Sequence, residues 1–72
     1  MDNKEDIIVR AKLSVLLKEA RESAGLTQAQ VAKQAGVNAN YYSVVERGEG
    51  NLSYVKLRRI LKVLKIKSLD IL

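Results

Sequence analysis

Apolar residues recur along this chain at three- and four-residue intervals, the spacing that places them on one face of a helix. Leu13, Leu16, Leu17, Ala20 and Ala24 share such a face, predicting a first helix from about Ile7 to Ala24 that Gly25 ends. Thr27 caps a second helix, and Gln30 three positions later completes a Thr-x-x-Gln capping box, with Val31, Ala32 and Ala35 as the buried side. Gly36 supplies the turn that follows. Asn38 caps a third helix running to about Arg47, directing Val37, Tyr42 and Val45 inward and leaving Ala39, Asn40, Ser43 and Val44 as a small, polar outer face. Gly48 and Gly50 close that helix and open a loop, and Ser53 caps a fourth helix striped with Leu57, Ile60, Leu61 and Leu64. Ser68 caps a last short turn carrying Leu69, Ile71 and Leu72. Residues 1–6 either extend the first helix, where acidic side chains favour a helix start, or form a loose arm.

Composition narrows what such a chain can do. Its 72 residues give one domain, 1–72, and one small core, too little for an ordinary catalytic cleft. With no Cys and no His there are no disulfides, thiolate nucleophiles or usual zinc ligands, so no metal or cofactor is expected. The opening residues, MDNKED, are acidic and polar where a signal peptide needs basic and apolar ones, and no apolar run is long enough to span a bilayer. A soluble, cytoplasmic protein is expected. The net charge is +5, and residues 37–72 supply +4 of it, so an anionic partner would meet the C-terminal half first. A lysine-rich solvated helix face would give the same balance. No proline, low-complexity run or internal repeat divides the chain.

The segment from Leu26 to Gly48, LTQAQVAKQAGVNANYYSVVERG, therefore reads as two short helices around a tight corner, an arrangement that can present the second helix to a DNA groove. The order Leu-Thr-Gln-x-x-x-Ala-x-x-x-Gly-Val, then Tyr, Ser, an aliphatic residue and Glu-x-Gly, then Asn-x-Ser and a Leu-rich helix, resembles the Cro/C1-type (XRE) helix-turn-helix domain. The likeness covers roughly Leu13 to Leu72. Within the family, the Glu-Arg-Gly-x-x-Asn-x-Ser segment looks most like restriction–modification controller proteins and small phage- or plasmid-type repressors. The resemblance implies an all-α, compact five-helix lambda-repressor-like domain, with helices two and three forming the helix-turn-helix.

It also implies roles for single residues. Base-reading positions of the family correspond to Ala39, Asn40, Ser43 and Val44. Asn40 can bond adenine N6 and N7 together, Ser43 can donate or accept, and Ala39 and Val44 offer apolar contact such as to a thymine methyl. Many relatives carry Gln, Arg or Lys where Ala39 and Val44 stand, which shifts the expectation toward DNA shape. Phosphate contacts are expected from Gln28, Tyr41, Arg47, Asn51 and Arg58 or Arg59, aided by the backbone amides of Gly50 to Ser53. The position before Asn51 is basic in many relatives and is Gly50 here. In the family the Glu of the recognition helix pairs with an Arg on helix one; the matching residues are Glu46 and Arg21, a structural bridge. Glu46 or Glu49 as a general acid lacks a partner carboxylate, metal ligands or a nucleophile, so no catalytic residue and no enzyme is expected.

One helix of this length reads too few base pairs to single out a site, so a homodimer on double-stranded DNA is expected. Val55, Val63, Leu69, Ile71 and Leu72 are candidates for its interface; the alternative is that they complete the monomer core. The favoured function is a transcriptional regulator, either a repressor or an autoregulating controller. An antitoxin with a toxin protein as partner, or a pure protein–protein module on the same scaffold, are the alternatives. RNA polymerase is a further candidate partner, whereas no membrane or small-molecule ligand is expected.

Overall fold

A computed structural model describes residues 4–66 of the chain. Among them are four helices, α1 (Lys4–Ser23), α2 (Gln28–Ala35), α3 (Ala39–Glu46) and α4 (Tyr54–Val63). The expected fifth helix, with Ser68, Leu69, Ile71 and Leu72, lies outside the described residues.

Local chemistry sets most helix ends. Thr27 Oγ1 accepts the Gln30 N–H at 3.1 Å, and Gln30 Oε1 accepts the Thr27 N–H at 2.8 Å, so the capping box satisfies two otherwise orphaned donors. Asn38 Oδ1 accepts the N–H groups of Asn40 and Tyr41 at 2.7 and 3.3 Å, and Ser53 Oγ accepts that of Lys56 at 3.4 Å. Gly36 turns the chain at φ +70°, ψ +33°, a left-handed conformation costly for a side chain. This lets Val37 N–H reach back to the Ala32 carbonyl at 3.0 Å and fold its side chain onto the core. Lys65, at φ +59°, occupies the corresponding place after α4, where Ile66 N–H bonds the Leu61 carbonyl at 2.9 Å.

The first helix starts earlier than its apolar face predicts. Glu5 and Asp6 fall in its first turn, where they complement the positive end of the helix dipole, so residues 4–6 extend the helix. Two residues assigned to its buried face are not core: Leu16 is only half-buried and stands outside the cluster, and Ala24 is exposed beyond the helix end. The cause is angular, since the core takes a narrow stripe through Leu13 and Leu17 with Ala20 at its edge.

All four helices feed one core: Leu13 and Leu17 from α1, Val31, Ala32 and Ala35 from α2, Tyr42 and Val45 from α3, with Ile60 and Leu64 from α4 and its cap. Each of the larger side chains contributes about 1.5–3 kcal/mol on leaving water. α2 packs on both α3 and α4, while α1 packs on α3. α3 is therefore held from two sides, and its remaining face is left outward.

Candidate nucleic-acid interface

The recognition segment splits as its pattern predicts. Tyr42 and Val45 are fully inside, while Ala39 and Asn40 are exposed and Ser43 and Val44 half-buried. The four expected base-contacting residues thus share the outward side of α3. Val44 is the least available, because Gly50 lies against its Cγ1 methyl. Arg47, the C-cap of α3, is exposed and reaches back along the helix, donating to Ser43 Oγ at 3.3 Å and pairing with Glu49 at 3.6 Å.

The single carboxylate within α3 points inward. Glu46 is 5% exposed, and Arg21 of α1 binds it through both Nε (to Oε2, 2.9 Å) and Nη2 (to Oε1, 3.0 Å). Arg21 Nη1 also donates to the Leu26 carbonyl at 2.9 Å, tying the α1–α2 link to the same group. Gln28 Nε2 adds a third donor to Glu46 at 3.0 Å, and Ser14 Oγ donates to the Glu46 main-chain carbonyl. Burial alone would raise the Glu46 pKa, but the hydrogen bonds from Arg21 and Gln28 outweigh it and hold the carboxyl below its ordinary range. The hydrogen bond to Glu46 raises the Arg21 pKa in turn. Tyr42 Oη lies near this carboxylate, yet it is buried without a partner at hydrogen-bond geometry. Burial first, and then the polar and charge interactions with the adjacent Glu46 carboxylate, push its phenol well above the usual tyrosine value. A negative charge that would repel phosphate is thereby neutralised and taken off the outer face.

The expected phosphate-contacting residues surround that face with different degrees of engagement. Gln28 opens α2 and spends one of its two side-chain N–H donors on Glu46, leaving the second and the backbone N–H of the helix start for a phosphate. Tyr41 packs its half-buried ring against the core, and its hydroxyl accepts the Ser53 N–H at 3.0 Å. The hydroxyl proton is still able to donate outward. Asn51 and Arg58 are exposed, Arg58 lying 5.8 Å from the Tyr54 ring centre, and Arg59 is exposed beside Val55 and Lys62.

Four further residues were not among the expected site residues. Lys56, whose ammonium stands 4.9 Å above the Tyr41 ring, adds a cation where α3 meets α4. Ser14 anchors the end of α3; its position seven residues before Arg21, two turns along one face of α1, was the available clue. Glu5 and Asp6, brought in by the early start of α1, share a cleft with Asn51 and Leu52 and set negative charge beside the loop. Of the candidate interface residues, Val55 is 57% exposed and Val63 is half-buried against the core. Leu69, Ile71 and Leu72 lie outside the described residues.

Two short capped helices around a glycine corner, the second turned outward and stripped of exposed negative charge, define a helix-turn-helix of the DNA-binding class. A family model described as Helix-turn-helix matches residues 17–72, and the chain belongs to the Cro/C1-type (XRE) helix-turn-helix family of DNA-binding proteins. No curated protein matches the chain. Among the described residues no helix is long and apolar enough to cross a membrane.

Proposed function

We propose that this DNA-binding regulator is sequence-specific, binding a pseudo-palindromic operator as a homodimer and acting as a repressor or autoregulating controller. The observation that carries the reading is the inward lock on Glu46, which leaves Ala39, Asn40, Ser43 and part of Val44 as the surface α3 can lay in a major groove. Asn40 reads adenine through its exposed amide, Ser43 contributes a weak polar contact, and the two apolar residues meet thymine methyl groups. Few base contacts are available, so phosphate clamping and DNA shape carry much of the binding. Gln28, Tyr41, Arg47, Asn51 and Arg58 supply the clamp.

Two copies are needed because one such helix contacts only a few base pairs; half-sites about one helical turn apart follow. With about four phosphates neutralised per protomer, the slope of log affinity against log salt is near −7. Titration of an operator duplex over a range of salt tests the clamp, and a flat dependence contradicts it. Sedimentation equilibrium with and without DNA tests the dimer, and a monomer under both conditions contradicts it.

A further inference from the structure

Gly50 sits in the α3–α4 loop at φ +75°, and a Cβ at this position would stand 2.6 Å from Val44 Cγ1. Gly25 and Gly36 have nearly the same backbone angle, +71° and +70°, yet a Cβ on either would meet nothing within 4 Å. The close approach is therefore particular to residue 50. The loop is also tied to the main chain of the same residue, because Glu49 N–H bonds the Val44 carbonyl at 3.0 Å. Valine has a stiff χ1 with one strongly preferred rotamer in a helix, so pressure on one methyl is relieved by a jump between rotamers rather than by a small adjustment.

We propose that Gly50 is a specificity-determining position: its bare backbone braces Val44 Cγ1 and so fixes which part of the Val44 side chain the recognition helix offers to a base. The inference rests on the reading of α3 as the base-contacting helix. Apolar contact with a thymine methyl is the recognition open to valine, and it depends on where the valine methyls point. A side chain at position 50 displaces Cγ1, turns Val44 to another rotamer and changes the preferred base beneath it, although residue 50 itself touches no base.

The test uses the full chain, with Val44 methyl couplings measured by NMR in the free protein and random-site selection on DNA. Gly50→Ala introduces the contact, and Gly50→Asn introduces it with a residue that tolerates positive φ, so a folded variant is at hand if the alanine form fails. Gly25→Ala, after α1 and outside the helix-turn-helix corner, imposes the same backbone strain without the contact. Both Gly50 variants are expected to shift the Val44 rotamer populations and to change the preference at one position per half-site by about fivefold or more, the low end of a single base-pair effect. Gly25→Ala is expected to leave both readouts unchanged, and in a Val44→Ala background Gly50→Asn no longer alters the preference. Unchanged Val44 couplings in Gly50→Asn, an equal shift in Gly25→Ala, or a change of preference that persists without Val44 overturns the proposal. A wild-type protein that selects no site overturns the base-reading function and this inference with it; a wild-type site that survives Gly50→Asn unaltered overturns this inference alone.

Discussion

Arg21 holds Glu46 with two parallel hydrogen bonds of 2.9 and 3.0 Å, joining the last turn of α1 to the end of α3 across 25 residues of sequence. Removing one partner strands the other. Arg21→Ala is expected to cost about 3 kcal/mol, the lower end for breaking a buried pair because the Arg21 side chain keeps 14% exposure. Replacing both partners by apolar residues, Arg21→Met with Glu46→Leu, is expected to recover most of that loss. Urea denaturation of the two single variants and the double variant checks this, and strictly additive losses would contradict the pairing.

The same pair sets an acid limit. The Glu46 carboxyl has a lower pKa folded than unfolded, so its contribution is present above the ordinary glutamate range and is lost as pH falls through the folded-state value. The stability gap between wild type and Glu46→Gln is expected to be constant from neutrality down to roughly pH 5 and to narrow below it. Urea midpoints at several pH values measure that gap. A gap that widens on acidification would reverse the sign assigned here.

Tyr42 offers a separate test, because its buried hydroxyl has no partner at bonding geometry. Leaving a polar group unpaired costs about 1–3 kcal/mol, and Tyr42→Phe removes that group while keeping the ring. The variant is expected to be as stable as wild type or more stable by up to about 1 kcal/mol. A thermal or urea midpoint showing a clear loss would mean that the hydroxyl is bonded to Glu46.

Tyr41 has the opposite expectation. Its hydroxyl accepts the N–H of Ser53, the residue that caps α4, so Tyr41→Phe leaves that partly buried donor unpaired. A loss of about 1 kcal/mol in stability is expected. If the hydroxyl proton also meets a phosphate, binding weakens by a similar factor on every DNA sequence, with base preference unchanged. Measuring affinity on several duplexes separates this from a base contact.

Features decided within a few residues were legible in the sequence. Thr27, Gln30, Asn38 and Ser53 cap the helices expected of them, because a cap needs only a side-chain oxygen and an N–H two or three positions on. The Arg21–Glu46 bridge was legible only through the family resemblance, since nothing local joins residues so far apart. Features set by three-dimensional packing were not legible. Ser14 and Gln28 converge on Glu46 from different helices, and Gly50 folds back on Val44. The apolar spacing of α1 also included Leu16 and Ala24, because periodicity gives a face but not how wide a stripe the neighbours cover.

Asn40 is the residue on which sequence-specific reading most depends, since it alone on the outer face of α3 can bond a base in bidentate fashion. Random-site selection with the purified protein and with Asn40→Ala measures this directly. The wild type is expected to enrich a two-fold symmetric site with an adenine fixed in each half, and the variant is expected to lose that preference by roughly 1–3 kcal/mol while still binding DNA. No enriched site for the wild type, or the same site with undiminished preference for the variant, would contradict reading by α3.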